Sequence, residues 1–66
     1  MLNPDGEYIN IDWKLFQPGM SVFIPAINLK RLERQMRAVA SLKRFTIKSA
    51  ERIEGGLLGM RFWRIS

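Results

Sequence analysis

The sequence predicts an α+β domain of order strand-helix-strand-strand (βαββ): a small, mostly antiparallel sheet with one helix packed on one face. Three stretches carry the prediction. "SVFIP" is a short apolar run behind a Pro-Gly turn, "LKRLERQMRAVASLKR" repeats apolar residues at steps of three and four, and β-branched and aromatic residues flank Gly55-Gly56. The βαββ core occupies residues 18–66, and residues 1–17 read as an N-terminal arm or an extra short strand. With 66 residues the chain makes one domain and one core, burying about 60% of its unfolded surface, so its stability is expected to be marginal.

At the N-terminal end, the Pro4-Asp5-Gly6 turn precedes Ile9, Ile11 and Trp13 at spacing two, with Tyr8, Asn10 and Asp12 on the other side, a pattern that suits a strand or extended arm. The next turn, Pro18-Gly19, leads into Ser21-Val22-Phe23-Ile24, a mostly buried strand that Pro25 stops. Asn28 then caps the helix, a contribution of about 1 kcal/mol. Leu29, Leu32, Met36, Val39 and Leu42 form its apolar stripe, which docks on the sheet. Lys30, Arg34, Arg37 and Ser41 follow one another on the outer side with Arg31 and Gln35 alongside, and Glu33 stands in favourable i to i+4 order with Arg37. Lys30 and Arg31 lie in the first turn, where the helix dipole disfavours cations by about 0.3–1 kcal/mol each, so folding alone does not select them.

The last third is a hairpin. If Gly55 and Gly56 are the two loop residues, Glu54 pairs with Leu57, Ile53 with Leu58, Ser49 with Phe62 and Lys48 with Trp63. One face then carries Phe45, Ile47, Ile53, Leu58, Met60 and Phe62; the other carries Lys48, Arg52, Arg61 and Trp63, with Thr46 and Ile65 near the end. A three-residue loop would shift every pair by one and take Trp63 and Ile65 inside. The two-residue loop is expected because the alternative strands Leu58, Met60 and Phe62 outside, at about 25 cal/mol per Å² of apolar surface. The apolar richness of residues 57–65 puts the last strand in the centre of the sheet. Glu51 falls on the core side, near an edge or paired with an arginine such as Arg64, and Arg64 itself lies at the core margin with its stem packed and its charge wet. Trp63, on the open face, is either a free platform or covered by the N-terminal segment or a second subunit.

The chemistry is that of binding. Eleven Lys and Arg against six Asp and Glu give a formal charge of +5, which favours anionic partners. His and Cys are absent, and the carboxylates Asp5, Glu7, Asp12, Glu33, Glu51 and Glu54 are scattered at spacings that match no metal loop, so neither catalysis, a metal nor a cofactor is expected. Gly55, Gly56 and Gly59 make no phosphate loop, because no helix and no Lys-Ser or Lys-Thr follows them. The N-terminus lacks the basic start and apolar run of a signal peptide, and no stretch approaches the roughly 20 apolar residues of a membrane span. A soluble intracellular protein with no membrane partner is the expectation.

"PGMSVFIPA" and the terminal "MRFWRIS" resemble segments of a family of small bacteriophage proteins with a Gly-x-Ser-aromatic-hydrophobic-Pro strand, a basic helix and a closing Arg-x-Trp-Arg. Gly19, Ser21, Phe23, Pro25, Arg61, Trp63 and Arg64 carry the likeness, which spans residues 18–66. It implies a phage origin, hence the host cytoplasm, and no particular activity. The leading expectation is an accessory or regulatory protein that binds nucleic acid, DNA foremost. It would do so through Lys30, Arg31, Arg34 and Arg37 on the helix and Lys48, Arg52, Arg61 and Trp63 on the hairpin. The alternative is a protein-interaction module that modulates or inhibits a host protein by its acidic surface, with Trp63 and Ile65 at the centre and arginines at the rim. A homodimer through the open sheet face is the third arrangement.

Overall fold

A computed structural model describes Gly6 and residues 11–66. The elements are β1 (Ser21–Pro25), α1 (Leu29–Lys43), β2 (Ile47–Glu54) and β3 (Leu57–Arg64). They form one open, three-stranded antiparallel sheet of order β1-β3-β2, with β3 central. The fold is the α+β, βαββ arrangement read from the sequence.

The hairpin turn sets the geometry. Gly55 and Gly56 have φ of 58° and 77°, the paired positive angles of a two-residue primed turn, whose twist matches that of the flanking strands. Pairing runs outward from Glu54 with Leu57 through Ser49 with Phe62 and Lys48 with Trp63 to Ile47 with Arg64. Beyond the strands, Thr46 and Ser66 continue the ladder, with Ile65 N–H donating to the Thr46 carbonyl at 2.7 Å. On the other side β1 pairs Val22 with Phe62 and Ile24 with Met60. Its entry is the Pro18-Gly19 turn, in which Met20 N–H donates to the Gln17 carbonyl and Gly19 takes φ 89°.

These pairings bring Ile24, Met60 and Phe62 to one face, where Leu32 and Met36 of α1 close a core completed by Ala26. Phe62 is wholly buried. The helix is capped as its sequence suggests: Arg31 N–H donates to Asn28 Oδ1 at 3.2 Å. It ends in a Schellman arrangement, with Phe45 N–H donating to the Ala40 carbonyl and Arg44 N–H to that of Ser41. Arg44 holds the left-handed position at φ 58°, where glycine is the usual occupant.

Several expectations change. Leu42 is 86% exposed, because six residues place it about 120° around the helix from Met36, off the stripe that Leu32, Met36 and Ala40 define. Ile53 and Leu58 do pair on the helix-side face, yet Ile53 is 73% exposed and Leu58 is also exposed. The reason is register: β1 ends opposite Gly59, so the tip of the hairpin projects past the third strand. Glu51 is exposed on the edge strand β2, while Arg64 turns elsewhere. It donates to the Phe16 carbonyl at 2.7 Å and the Ser66 carbonyl at 3.2 Å, and its guanidinium lies 3.6 Å over the Phe45 ring.

The segment leading to β1 is a turn and not a strand across residues 13–15; Tyr8, Ile9 and Asn10 lie outside the described residues. Its Ile11 and Trp13 pack against the helix-side core, and Phe16 is buried between Trp13 and Phe45 in two edge-on ring contacts. The described part of this segment therefore covers the core side of the sheet and leaves Trp63 uncovered.

Two stability predictions follow from this packing. Phe62→Ala removes a wholly buried ring, a loss of about 3–5 kcal/mol, comparable to the whole stability of a domain this size. Urea unfolding followed by circular dichroism should show it unfolded or nearly so in water, whereas Trp63→Ala should lose far less. Arg44→Gly relieves a left-handed strain of about 1–2 kcal/mol and adds roughly half that in unfolded-state entropy, so the same measurement should show a gain of about 0.5–1 kcal/mol.

Candidate nucleic-acid interface

Alternation along the strands decides what reaches the face that α1 leaves open. With Ile24, Met60 and Phe62 turned to the helix, Ser21, Phe23 and Pro25 of β1, Gly59, Arg61 and Trp63 of β3, and Lys48, Ala50, Arg52 and Glu54 of β2 point the other way. The hairpin half of the sequence-predicted site, Lys48, Arg52, Arg61 and Trp63, is thus assembled on one surface. The helix half is not part of it. Lys30, Arg31, Arg34 and Arg37 are exposed and lie about 100–160° around α1 from the buried Met36, on the far side of the molecule.

Trp63 stands on the central strand near one end of the open face, partly buried, with Lys48 directly opposite and the Arg52 guanidinium 5.1 Å from its ring centroid. Beside it is a shallow depression of about 430 Å³ lined by Gly19, Lys48, Trp63, Arg64 and Ile65. Arg61 is committed within the protein. Its Nε and one Nη bind both oxygens of Glu54 at 2.7 and 2.6 Å, and the other Nη donates to Ser21 Oγ at 2.7 Å, so one side chain ties all three strands together. The ion pair is bidentate and three-quarters shielded on the arginine side, the geometry in which such a pair is strongest.

The hydrogen bonds from Arg61 hold the Glu54 carboxyl below its ordinary value, against a smaller opposing effect of partial burial and with help from the charges of Arg61 and Arg52. The same bonds raise Arg61. Glu54 thus cancels one of the three cations on this face, and Lys48 and Arg52 remain.

Two participants escape a reading by residue class. Phe23 belongs to this face because it alternates with partly buried Val22 and buried Ile24, a signal present in the strand's parity but hidden by its uniform apolarity. Gly59 makes room for it. A Cβ there would collide with the Ile24 carbonyl oxygen and lie 2.8 Å from both Phe23 Cζ and Pro25 Cα. Among the described residues no three carboxylates come together, and no helix is long and apolar enough to cross a membrane.

The Glu54-Arg61 pair carries a pH signature. A carboxyl whose folded pKa is depressed stabilises the fold above its unfolded value and loses that contribution as pH falls through the folded value. Wild type should therefore exceed Glu54→Gln in urea resistance at about pH 7, and the gap should narrow as the pH falls below the ordinary carboxylate range and close once the folded carboxyl is protonated. A gap unchanged in acid would contradict the pairing.

No protein-family model, no curated protein and no solved structure matches the chain.

Proposed function

We propose that the protein binds single-stranded nucleic acid on the open sheet face. One observation supports this above others: two aromatic side chains, Phe23 and Trp63, share that face with three cations, Lys48, Arg52 and Arg61, and with a single carboxylate, Glu54. A strand lying across the sheet would stack bases on the aromatics and set its phosphates against Lys48 and Arg52.

The energetics favour the exchange. In the unliganded protein Arg52 rests near the Trp63 ring, worth about 0.5–1 kcal/mol at an exposed site. Base stacking on an aromatic is worth about 1–3 kcal/mol, so a base displaces the guanidinium, which is then released to a phosphate. Arg61 keeps its place, since leaving Glu54 would break a bidentate pair. It acts as the rigid floor between Phe23 and Trp63.

A second reading, a protein-interaction module, draws on the hairpin tip, where exposed Ile53, Leu57 and Leu58 would suit an apolar contact. The two readings separate on which residues matter. Anisotropy of a short labelled DNA single strand should show binding at low salt that weakens steeply as salt rises. Trp63→Ala should weaken it about 5- to 150-fold, from the ~1–3 kcal/mol of a lost stack. Replacing Lys48 and Arg52 together by Ala should flatten the salt dependence by roughly 1.4 log units per log unit of salt. Absence of binding at low salt contradicts the proposal, and so does a Trp63→Ala variant that binds as wild type does.

A further inference from the structure

We infer that the outer face of α1 is a second, separate surface for the phosphate backbone of nucleic acid, so that one molecule bridges two strands or a strand and a duplex. The bridging part rests on the single-strand reading above; the helix surface rests on its own observations.

The first is the charge arrangement. Lys30, Arg31 and Arg34 are exposed, and their side chains make no ion pair with any described residue. The helix's one carboxylate, Glu33, is already engaged, accepting from Arg37 Nε at 3.2 Å and from an Arg37 Nη at 3.1 Å. No acidic residue occupies the first turn, although that is where one would stabilise the helix. The surface therefore presents uncompensated positive charge that costs the fold stability.

The second is spacing. Lys30 and Arg34 stand one turn apart along the helix with a rise of about 6 Å, and Arg31 lies beside them. Phosphates on one strand of a duplex recur about every 3.4 Å along its axis, so these cations reach neighbouring phosphates along roughly 6 Å of backbone. This regular cationic row, without aromatics beside it, suits a backbone and not bases; a duplex is the fitting occupant.

The third is separation. The helix row and the Trp63 platform lie on opposite sides of a molecule whose extents are 28 × 20 × 19 Å. Two polyanions held about 20 Å apart are about two Debye lengths from each other at 0.1 M salt, so their mutual repulsion is largely screened. Both surfaces can then be filled at once.

The test uses the whole chain and two non-complementary DNAs, an acceptor-labelled duplex and a donor-labelled single strand. A variant carrying Lys30→Glu, Arg31→Glu and Arg34→Glu should fold at least as well as wild type, since acidic residues suit the first turns of a helix. Wild type should bind the duplex, and the triple variant should lose at least tenfold in duplex affinity while holding the single strand within about twofold. With both DNAs present, wild type should give energy transfer that disappears in excess protein, and both the triple variant and Trp63→Ala should give none.

Duplex binding equal in wild type and triple variant overturns the helix surface, as does binding of anionic lipid vesicles with none of duplex. Energy transfer that survives the triple variant assigns bridging to a dimer with one site per copy and overturns it here. If duplex binding requires the helix cations while the single strand fails to bind at all, the sheet-face reading alone has failed, and bridging with it.

Discussion

Two glycines with positive φ at the tip of the hairpin hold the register on which the rest of the molecule depends. Because side chains alternate along a strand, a shift of one residue would exchange the two faces completely. With Gly55 and Gly56 as the loop, Phe62 and Met60 meet Leu32 and Met36 of the helix, and Trp63 and Arg61 turn to the opposite sheet face. The energetic preference is large, since this register buries Met60 and Phe62 almost completely and the other would expose them. The same turn therefore creates the core and the candidate interface.

The arginines follow their faces. Arg64, on the core side, covers Phe45 and fastens the Phe16 carbonyl, tying the segment before β1 to the end of β3. Arg61, one sheet face away, fastens Glu54 and Ser21. Both are structural clamps. Of the other cations, Arg37 pairs with Glu33, Lys48 and Arg52 stand beside Trp63, Lys30, Arg31 and Arg34 line the helix, and Lys14, Lys43 and Arg44 lie elsewhere. Part of the positive charge is thus engaged in bonds within the protein, and part is gathered on two outward surfaces.

Much of this was legible in the residues. The helix, its Asn28 cap, the Pro18-Gly19 turn, the hairpin register and the central position of β3 all follow from local signals: apolar period, capping chemistry and glycine turns. Loss came where a position depends on elements far away in sequence. Leu42 fits the step pattern but drifts off the buried stripe as the helix turns, and Ile53 and Leu58 have the right face but no third strand beneath them. The candidate site was legible in its hairpin half. That the helix cations lie on the opposite side, that Glu54 occupies Arg61, and that Phe23 joins Trp63 required knowing which strands are neighbours.

The register is tested most directly by cross-strand nuclear Overhauser contacts in the isotopically labelled protein. Contacts joining Ser49 to Phe62, Lys48 to Trp63 and Val22 to Phe62, with the Trp63 indole free of contacts to Leu32 and Met36, are the expected result. Contacts displaced by one residue, joining Ser49 to Trp63 and bringing the Trp63 indole against Leu32 or Met36, would contradict it, and with it the assignment of Trp63 to an open binding face.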